Sequence, residues 1–215
     1  MTTVAVIDYG MGNLRSVAKA LEHAGEGARV CVTAEPQRIA AADRVVFPGQ
    51  GAIGDAMAEL SRLGLDRVLG QVMSEKPFLG ICLGLEALLE HSEEDGGTPG
   101  FGVFPGAVRR FPVPLIDPHT GERLKVPHMG WNQVHQARGH PLWHGIADDS
   151  RFYFVHSYYV EPVAGTVAAG TTHYGVEFIS AACRENIFAV QFHPEKSQHA
   201  GLALLGNFLR WDGQE

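Results

Sequence analysis

Short, mostly apolar segments alternate with amphipathic ones through the first half of the chain, and this alternation constrains the fold more than any other feature. The apolar segments are TVAVID (3–8), RVCVT (29–33), RVVF (44–47) and PFLGI (77–81). Residues 13–25 and 53–73 carry apolar side chains at helical spacing, with a break near Gly64. Apolar, β-branched strands between helices are typical of parallel sheets covered on both faces. The sequence predicts an α/β fold with an open, mostly parallel sheet flanked by helices.

The second half has a different pattern. Residues 96–141 are rich in glycine and proline and contain short alternating runs such as GAVRRF and NQVHQ. RFYFVHSYYV, GTVAAGTTHY, VEFISAAC and NIFAVQFH are typical of further strands, and residues 197–211 of a closing helix. We expect added antiparallel strands here. No repeat, low-complexity tract or linker divides the 215 residues, so a single domain over 1–215 is expected.

Composition and charge exclude several classes of protein. The net charge is −7, and no run of lysine and arginine offers a basic face for nucleic acid. The N-terminus lacks the basic segment of a signal peptide, and no apolar run reaches the roughly 18 residues of a membrane-spanning helix. Three widely spaced cysteines fit a reducing compartment. We expect a cytoplasmic protein that binds neither nucleic acid nor membranes.

One cysteine stands where a strand turns into a helix. Cys82 follows FLGI and precedes LGLEALLE, part of a helix expected over about 83–91, with Gly80 and Gly84 on either side. A nucleophile on such a turn has a strained backbone and needs small residues two positions away. The helix N-terminus would also favour a thiolate. A lone cysteine is more often structural, but this arrangement favours a nucleophile.

His193 in VQFHPEKS is the best candidate for the base that a nucleophilic cysteine requires. It follows an apolar strand, and Glu195 stands two residues on. Extended geometry places residues i and i+2 on one side of the chain, so the carboxylate can orient the imidazole. A histidine at a strand end is by itself usually a surface residue. Together with Cys82, it favours catalysis.

A glycine cluster follows the third strand. Gly49, Gly51 and Gly54 in VVFPGQGAIG form a GxGxxG pattern. Dinucleotide-binding loops follow the first strand and have an acidic residue at the end of the next strand, and neither condition holds here. A loop whose N–H groups complete an oxyanion hole beside Cys82 fits better.

Metal and cofactor sites are not indicated. His140 and His144 have i, i+4 spacing, but Pro141 and Gly145 argue against a helix and no third ligand is apparent. No two cysteines form a CxxC pair. We expect no metal and no cofactor.

Three motifs in order, PGQG (48–51), GICLG (80–84) and FHPEKS (192–197), resemble those of class I, triad-type glutamine amidotransferases. DYGMGNLRSV (8–17), KVPHMGWNQV (125–134) and FYFVHSYYV (152–160) are similar to segments of the glutaminase subunits of imidazole glycerol phosphate synthases. The similarity extends from about residue 3 to residue 211. These long motifs are far more specific than the cysteine turn alone.

The resemblance implies that Cys82 attacks the side-chain amide of glutamine, that His193 moves the proton and that Glu195 orients His193. Backbone N–H groups of Gln50 and Leu83 would bind the oxyanion. The ammonia would pass to a cyclase subunit with a (β/α)₈ barrel fold, in a heterodimer. That partner would make imidazole glycerol phosphate and aminoimidazole carboxamide ribotide in histidine biosynthesis.

The resemblance also implies substrate-binding and partner positions. The residues that match glutamine-binding positions are Gly49, Gly51, Glu86, Ser157 and Tyr158. Those that match positions facing the partner or coupling the subunits are Asn13, Trp131, Tyr153 and Lys196. Local roles remain open: Asn13 as the N-cap of the first helix, Trp131 as a core residue and Lys196 as an ordinary lysine at a helix start.

Two positions depart from the family pattern. The family commonly has glutamine four residues after the nucleophile, where this chain has Glu86. An ionised carboxylate cannot donate a hydrogen bond, so contacts with substrate oxygens would weaken or reverse. We expect activity to be retained with altered glutamine affinity. Gln50 replaces a common valine, which a loop acting through its backbone tolerates.

Three other functions remain open. The chain could be the glutaminase of another amidotransferase, such as that of anthranilate or guanylate synthesis, although PHMGWN and FVHSYY count against this. It could be a stand-alone cysteine hydrolase of related fold. It could also be a binding subunit in which Glu86 marks loss of catalysis, although Cys82, His193 and Glu195 are intact.

Overall fold

The computed structural model describes residues 1–25, 27–161 and 167–214. The first half alternates strands with helices as expected. Its elements are β1 (Thr3–Ile7), α1 (Leu14–Ala24), β2 (Arg29–Thr33), α2 (Pro36–Ala41), β3 (Arg44–Gly49), α3 (Ile53–Arg62), α4 (Leu65–Glu75), β4 (Phe78–Cys82) and α5 (Leu83–Glu86).

The second half is mostly β-structure. Its strands are β5 (Leu89–Ser92), β6 (Thr98–Pro99), β7 (Phe104–Arg110), β8 (Leu115–Ile116), β9 (Arg123–Leu124), β10 (His128–Gln136), β11 (Ser150–His156), β12 (Tyr158–Val160), β13 (Ala168–Tyr174), β14 (Val176–Arg184) and β15 (Ile187–Val190). The helix α6 (Gln198–Arg210) closes the fold, and short 3₁₀ turns occupy Glu94–Gly96, Pro141–Trp143 and Pro194–Lys196.

The strands confirm the predicted fold class. β2, β1, β3, β4 and β15 lie side by side in that order, and each neighbouring pair is parallel. β14 then joins β15 in antiparallel orientation, and β12 and β13 pair with β14 in the same sense. The late strand β15 therefore completes the parallel core, next to β4.

Two layers of helices cover the parallel strands. Val4 and Val6 of β1 share a core cluster with residues of α1 and α6. Ala5 and Ile7 point to the other face and join residues of α2, α3 and α4. Because successive side chains of a strand alternate between faces, a strand covered on both sides must be apolar throughout. None of the described helices is long and apolar enough to cross a membrane.

Several local predictions need correction. The helix expected over about 83–91 is a single turn, α5, and the chain continues as strand β5 because residues after Glu86 pair with β7. The short helix α2 was not predicted. The break near Gly64 is confirmed, since this residue has a φ of +68° between α3 and α4. The strand expected over 165–174 begins at Ala168, and residues 165–166 lie outside the described residues.

Candidate active site

Three neighbouring parallel strands deliver the predicted catalytic segments to one edge of the sheet. Gly49, the last residue of β3, pairs with Cys82, the last residue of β4. On the other side of β4, Val190 of β15 pairs with Ile81. The segment that leads to His193 therefore leaves the sheet beside the cysteine turn. This is the edge at which open α/β sheets hold their ligands.

Cys82 has the strained backbone that its position predicted. Its φ is +55° and its ψ is −107°, outside the regions that side-chain-bearing residues usually adopt. The flanking glycines are required by packing. A Cβ on Gly84 would collide with the carbonyl oxygen of Phe47, and a Cβ on Gly80 would lie 2.9 Å from the carbonyl oxygen of Gly84. The turn therefore fits tightly against β3.

The thiol of Cys82 is protonated at rest. Burial raises the pKa of this thiol well above its usual range, and the nearby carboxyl of Glu86 raises it further. The backbone N–H of Leu83 acts in the opposite direction but does not outweigh burial. The expectation that the N-terminus of the following helix favours a thiolate is confirmed in direction by this contact, but burial outweighs it. The single turn of α5 is too short to offset the loss of solvent.

His193 and Glu195 form a buried pair. The Nδ1 of His193 lies 2.9 Å from the Oε1 of Glu195, and the two side chains are 2% and 1% exposed. A carboxylate only accepts hydrogen bonds, so Nδ1 carries the hydrogen and Nε2 is left with a lone pair. Among the described residues, nothing hydrogen-bonds this Nε2. It is available to accept a proton.

The contact between His193 and Glu195 was predicted, but the backbone that makes it was not. Residues Pro194–Lys196 form a 3₁₀ turn instead of continuing an extended strand. The turn is held by the hydroxyl of Ser197, which donates to the carbonyl oxygen of His193 at 2.6 Å. The N–H of His193 also donates to the carbonyl oxygen of Tyr153 at 2.9 Å.

A cavity of about 420 Å³ opens beside Cys82. Most of the predicted nucleophile, oxyanion and substrate positions line it. These are Gln50, Gly51, Cys82, Leu83, Glu86, Ser157 and Tyr158. Glu94, Pro127, Val155, His156 and Lys196 complete the wall. The volume suits a small polar metabolite.

The glycine loop after β3 closes one side of this cavity. The hydroxyl of Tyr9 donates to the carbonyl oxygen of Pro48 at 3.1 Å, which fixes the start of the loop. A Cβ on Gly49 would collide with that hydroxyl, so this position accepts only glycine. Gly51 has a φ of +100°, which glycine adopts without strain.

Comparison with known proteins identifies the family. The family model described as glutamine amidotransferase class-I matches residues 5–210, nearly the whole chain. The chain belongs to the class-I glutamine amidotransferases. Imidazole glycerol phosphate synthase subunit HisH of Nitrosococcus oceani is 61% identical over 213 residues, which cover 99% of each chain. Subunit HisH 1 of Pseudomonas aeruginosa is 60% identical over 214 residues, covering 100% of this chain and 99% of that protein.

Solved structures support the same amidotransferase fold. The chain matches the structure of PurLQS from Thermotoga maritima with a TM-score of 0.73 and 15% identity, over 97% of this chain and 98% of that one. The glutaminase domain of CTPS from Trypanosoma brucei, solved with bound acivicin, gives a TM-score of 0.63 at 15% identity, over 99% and 95% of the two chains. At these identities, the likeness concerns the fold.

One residue of the amidotransferase site was missed from the sequence. Gln191 follows β15, and its side-chain amide donates to the Oε1 of Glu86 at 2.9 Å. The same nitrogen lies 3.9 Å from the Sγ of Cys82. Gln191 is completely buried, so this polar side chain bridges the two groups inside the protein. Its position as a polar residue within the apolar run NIFAVQFH was the available signal.

His156 was also missed, although it stands in the quoted motif FVHSYY. It lines the cavity immediately before Ser157, and its ring is buried. Burial lowers the pKa of His156 to about 3, so the ring is neutral. Its two ring nitrogens contact His128 and the carbonyl oxygen of Tyr158, whereas the Nε2 of His193 has no hydrogen-bond partner among the described residues.

Three of the predicted coupling residues contact one another in this amidotransferase. Trp131 is 40% exposed, which excludes the core role considered for it. Its ring centroid lies 6.1 Å from that of Tyr153, and the Nζ of Lys196 lies 5.8 Å from the Tyr153 centroid. Lys196 also lines the cavity beside Cys82. These contacts connect an exposed aromatic surface with the candidate active site.

Asn13 lies at the start of α1, but its side chain makes no capping hydrogen bond. Asn13 therefore occupies the N-cap position considered from the sequence, without a capping contact from its side chain in the described structure. The carbonyl oxygen of Asn13 accepts from the N–H groups of Ser16 and Val17. The neighbouring residue Gly12 lies against the glycine loop after β3. A Cβ on Gly12 would lie 3.5 Å from the Cα of Gly49.

His140 and His144 do not form a ligand pair. The Nδ1 of His140 accepts from the N–H of Leu142 at 3.1 Å, and the 3₁₀ turn Pro141–Trp143 separates the two residues. Elsewhere in the described chain, His135, Asp148 and Asp149 bring three candidate ligand atoms within 4.8 Å of one another. All three are exposed, and the Nδ1 of His135 lies 3.1 Å from the Oδ2 of Asp148, so this group is a polar contact on the surface.

Proposed function

We propose that this chain is the glutaminase subunit of an imidazole glycerol phosphate synthase and supplies ammonia for histidine biosynthesis. The observation that carries the proposal is the position of the strained Cys82 thiol. It borders a cavity of amino-acid size, next to the strand that leads to His193, whose Nε2 has no hydrogen-bond partner among the described residues. The near full-length similarity to HisH subunits supports the specific synthase.

Glutamine hydrolysis begins with the Sγ of Cys82, which attacks the side-chain amide carbon of glutamine. Because the resting thiol is protonated, its proton moves to the Nε2 of His193 as the C–S bond forms. Glu195 keeps the hydrogen of His193 on Nδ1 and stabilises the resulting imidazolium. The tetrahedral intermediate collapses when His193 returns the proton to the nitrogen, which leaves as ammonia.

The remaining γ-glutamyl thioester is hydrolysed by water. His193 takes a proton from the attacking water and returns it to the departing Sγ of Cys82, releasing glutamate. Backbone N–H groups at Gln50 and Leu83 stabilise the oxyanion in both steps. Gly49, Gly51, Ser157 and Tyr158 hold the glutamine substrate.

The ammonia is used by a partner. The relatives are named as subunits of a synthase, which supports a complex with a cyclase chain. In our proposal the cyclase is a (β/α)₈ barrel in a one-to-one heterodimer. It uses the ammonia to form imidazole glycerol phosphate and aminoimidazole carboxamide ribotide. Asn13, Trp131, Tyr153 and Lys196 face the partner or couple the two sites.

The decisive experiment measures glutamate release from glutamine by the purified chain. The reaction is run with the chain alone, with the cyclase of the same organism, and with the cyclase plus its phosphorylated substrate. We expect strong stimulation by partner and substrate together. Absence of glutamate in every condition, from folded and associated protein, would overturn the proposal. Turnover that needs no partner and ignores glutamine would favour a stand-alone hydrolase.

A Cys82→Ala variant separates the two half-reactions. It should abolish synthesis from glutamine and leave synthesis from ammonium salts within about twofold, because the cyclase chemistry belongs to the partner. The oxygen-for-sulfur variant Cys82→Ser is the matched control for packing. Equal loss of both activities would mean that this chain takes part in the second reaction.

A further inference from the structure

Glu86 is a buried carboxyl group in the wall of the cavity beside Cys82. Its side chain belongs to the single turn α5 that follows the cysteine, and only 6% of the residue is exposed. Its Oε1 accepts the hydrogen bond from Gln191 at 2.9 Å. Within the described residues, its Oε2 has no hydrogen-bond partner and no lysine, arginine or histidine forms an ion pair with the group. Burying an ionised carboxylate without a cation is strongly unfavourable.

The titratable groups around Glu86 do not favour its ionised form. They come from the strand ends, the 3₁₀ turns and the cysteine turn itself, and they are Tyr9, Cys82, Glu94, His156, Tyr158 and Lys196. The carboxyl of Glu94 raises the pKa of Glu86, and burial is the larger cause. Lys196 is the one cation among them, and it does not lie within ion-pair distance of Glu86 in the described structure.

These conditions raise the pKa of Glu86 to about 8. At pH 7, one unit below that value, roughly nine in ten molecules carry the neutral acid. Because Oε1 accepts from Gln191, the acidic hydrogen resides on Oε2. A neutral carboxylic acid then presents one acceptor and one donor, as the side-chain amide of glutamine does.

We propose that Glu86 is a specificity-determining residue of the glutaminase site that acts as a neutral carboxylic acid, donating a hydrogen bond from Oε2 to an oxygen of the glutamine substrate. Gln191 positions it by bonding Oε1. The neutral acid replaces the donor that an ionised carboxylate lacks. The departure from the family pattern therefore leaves glutamine binding intact near neutral pH.

Ionisation of Glu86 then switches the site off. A carboxylate at this position repels the oxygens of glutamine that the acid would bind. It also opposes the negative charge that develops on the sulfur of Cys82 and on the oxyanion. Both effects act above pH 8. Glutamine hydrolysis should therefore decline in alkaline solution for a reason that does not involve His193.

The first test compares pH profiles of kcat/KM for glutamine hydrolysis in the complex with the cyclase. This arm rests on the proposed function. The unmodified protein should lose about tenfold between pH 7 and pH 9, since roughly one molecule in ten keeps the neutral acid one unit above its pKa. Glu86→Gln should be within about threefold at pH 7 and should lose less than about twofold by pH 9.

Glu90→Gln serves as the control for charge removal, because Glu90 is exposed and lies four residues on in the same segment. It should keep the alkaline decline. A decline shared by the unmodified protein and Glu86→Gln, or no decline in either, would overturn the proposal. Comparison of KM between Glu86→Gln and Glu86→Leu tests the hydrogen bond itself: at pH 7 only the leucine variant should bind glutamine about tenfold more weakly.

The second test needs no glutamine and stays informative if the proposed function is wrong. Alkylation of Cys82 by iodoacetamide is followed by mass spectrometry of its peptide between pH 7 and pH 10. At pH 9, Cys82 should react roughly tenfold faster in Glu86→Gln than in the unmodified protein, because the variant lacks the ionised carboxylate. At pH 7, the two proteins should react at similar rates. Identical pH dependence in both proteins would show that Glu86 carries no charge that the thiol senses.

Discussion

The Nδ1 of His128 lies 2.9 Å from the Nε2 of His156, and both rings are buried. The Nδ1 of His156 lies 2.6 Å from the carbonyl oxygen of Tyr158, which can only accept, so this nitrogen carries the hydrogen. His128 must then donate to His156. The side-chain amide of Asn132 approaches the remaining nitrogen of His128 at 3.3 Å. Hydrogen bonds therefore run in one direction from Asn132 towards the cavity segment at Tyr158.

This arrangement predicts a loss of stability in acid. Burial lowers the pKa of His128 and His140 to about 4 and that of His156 to about 3. In the unfolded chain these histidines bind protons near pH 6.5. Their contribution to the free energy of unfolding is therefore fully present above that pH and declines as the pH falls towards the folded-state pKa values. Each histidine should remove about 1 kcal/mol by pH 5.5. Urea unfolding at pH 7.5, 6.5 and 5.5 measures this.

Two histidine variants identify the source of that decline. His140→Asn keeps a side-chain acceptor for the N–H of Leu142. It should reduce the loss of unfolding free energy in acid by the amount that His140 contributes. His23→Asn changes an exposed histidine at the end of α1 and should leave the dependence unchanged. A decline that is the same in all three proteins would assign the acid sensitivity to carboxyl groups instead.

The cysteine turn should not tolerate a larger residue at Gly84. A Cβ there collides with the backbone carbonyl of Phe47, which cannot move without shifting β3. We expect Gly84→Ala to lower the free energy of unfolding by about 2 kcal/mol or more and to abolish glutamine hydrolysis. Gly70→Ala is the control, since no atom of the residues that the structure describes lies within 4 Å of its Cβ position in α4. It should stabilise the protein by about 0.5–1 kcal/mol.

Exchanging the carboxylate beside His193 tests its orienting role. In Glu195→Gln the amide nitrogen can donate to Nδ1 of His193, which moves the ring hydrogen to Nε2 and removes the base. We expect kcat to fall by about 10²–10⁴-fold with KM nearly unchanged. Glu195→Asp, which keeps the charge, should recover part of the rate. A loss confined to KM would place Glu195 in substrate binding.

The exposed aromatic surface offers a test of association. Trp131→Ala should weaken binding to the cyclase by about tenfold or more, as expected of an exposed aromatic residue that becomes buried in an interface. It should change the free energy of unfolding of the chain alone by less than about 1 kcal/mol. Titration calorimetry and urea unfolding separate the two effects. Val32→Ala, at an exposed apolar position on β2, should alter neither. Normal binding by Trp131→Ala would exclude it from the interface.

Local sequence patterns were sufficient for the parallel core and for the cysteine turn. β1 to β4 and the helices α1, α3 and α4 follow from apolar runs and helical spacing, because burial on both faces forces a strand to be apolar. Gly80 and Gly84, which flank Cys82, likewise indicate the tight turn from the sequence, since a close approach of backbone segments excludes any side chain. The contact between His193 and Glu195 could be predicted because the two residues are only two positions apart, although a 3₁₀ turn rather than a strand brings them together.

The ionisation states of the site were decided by the tertiary structure. Gln191 and Glu86 are 105 residues apart, and no local pattern indicates that one amide bridges the carboxyl and the thiol. The same holds for the pair His128 and His156, whose strands meet only when β10 pairs with β11. A pKa depends on burial and on neighbours brought together by folding. The sequence therefore determined which groups are present, and packing determined that the pKa values of Cys82 and Glu86 are raised and that of His156 is lowered.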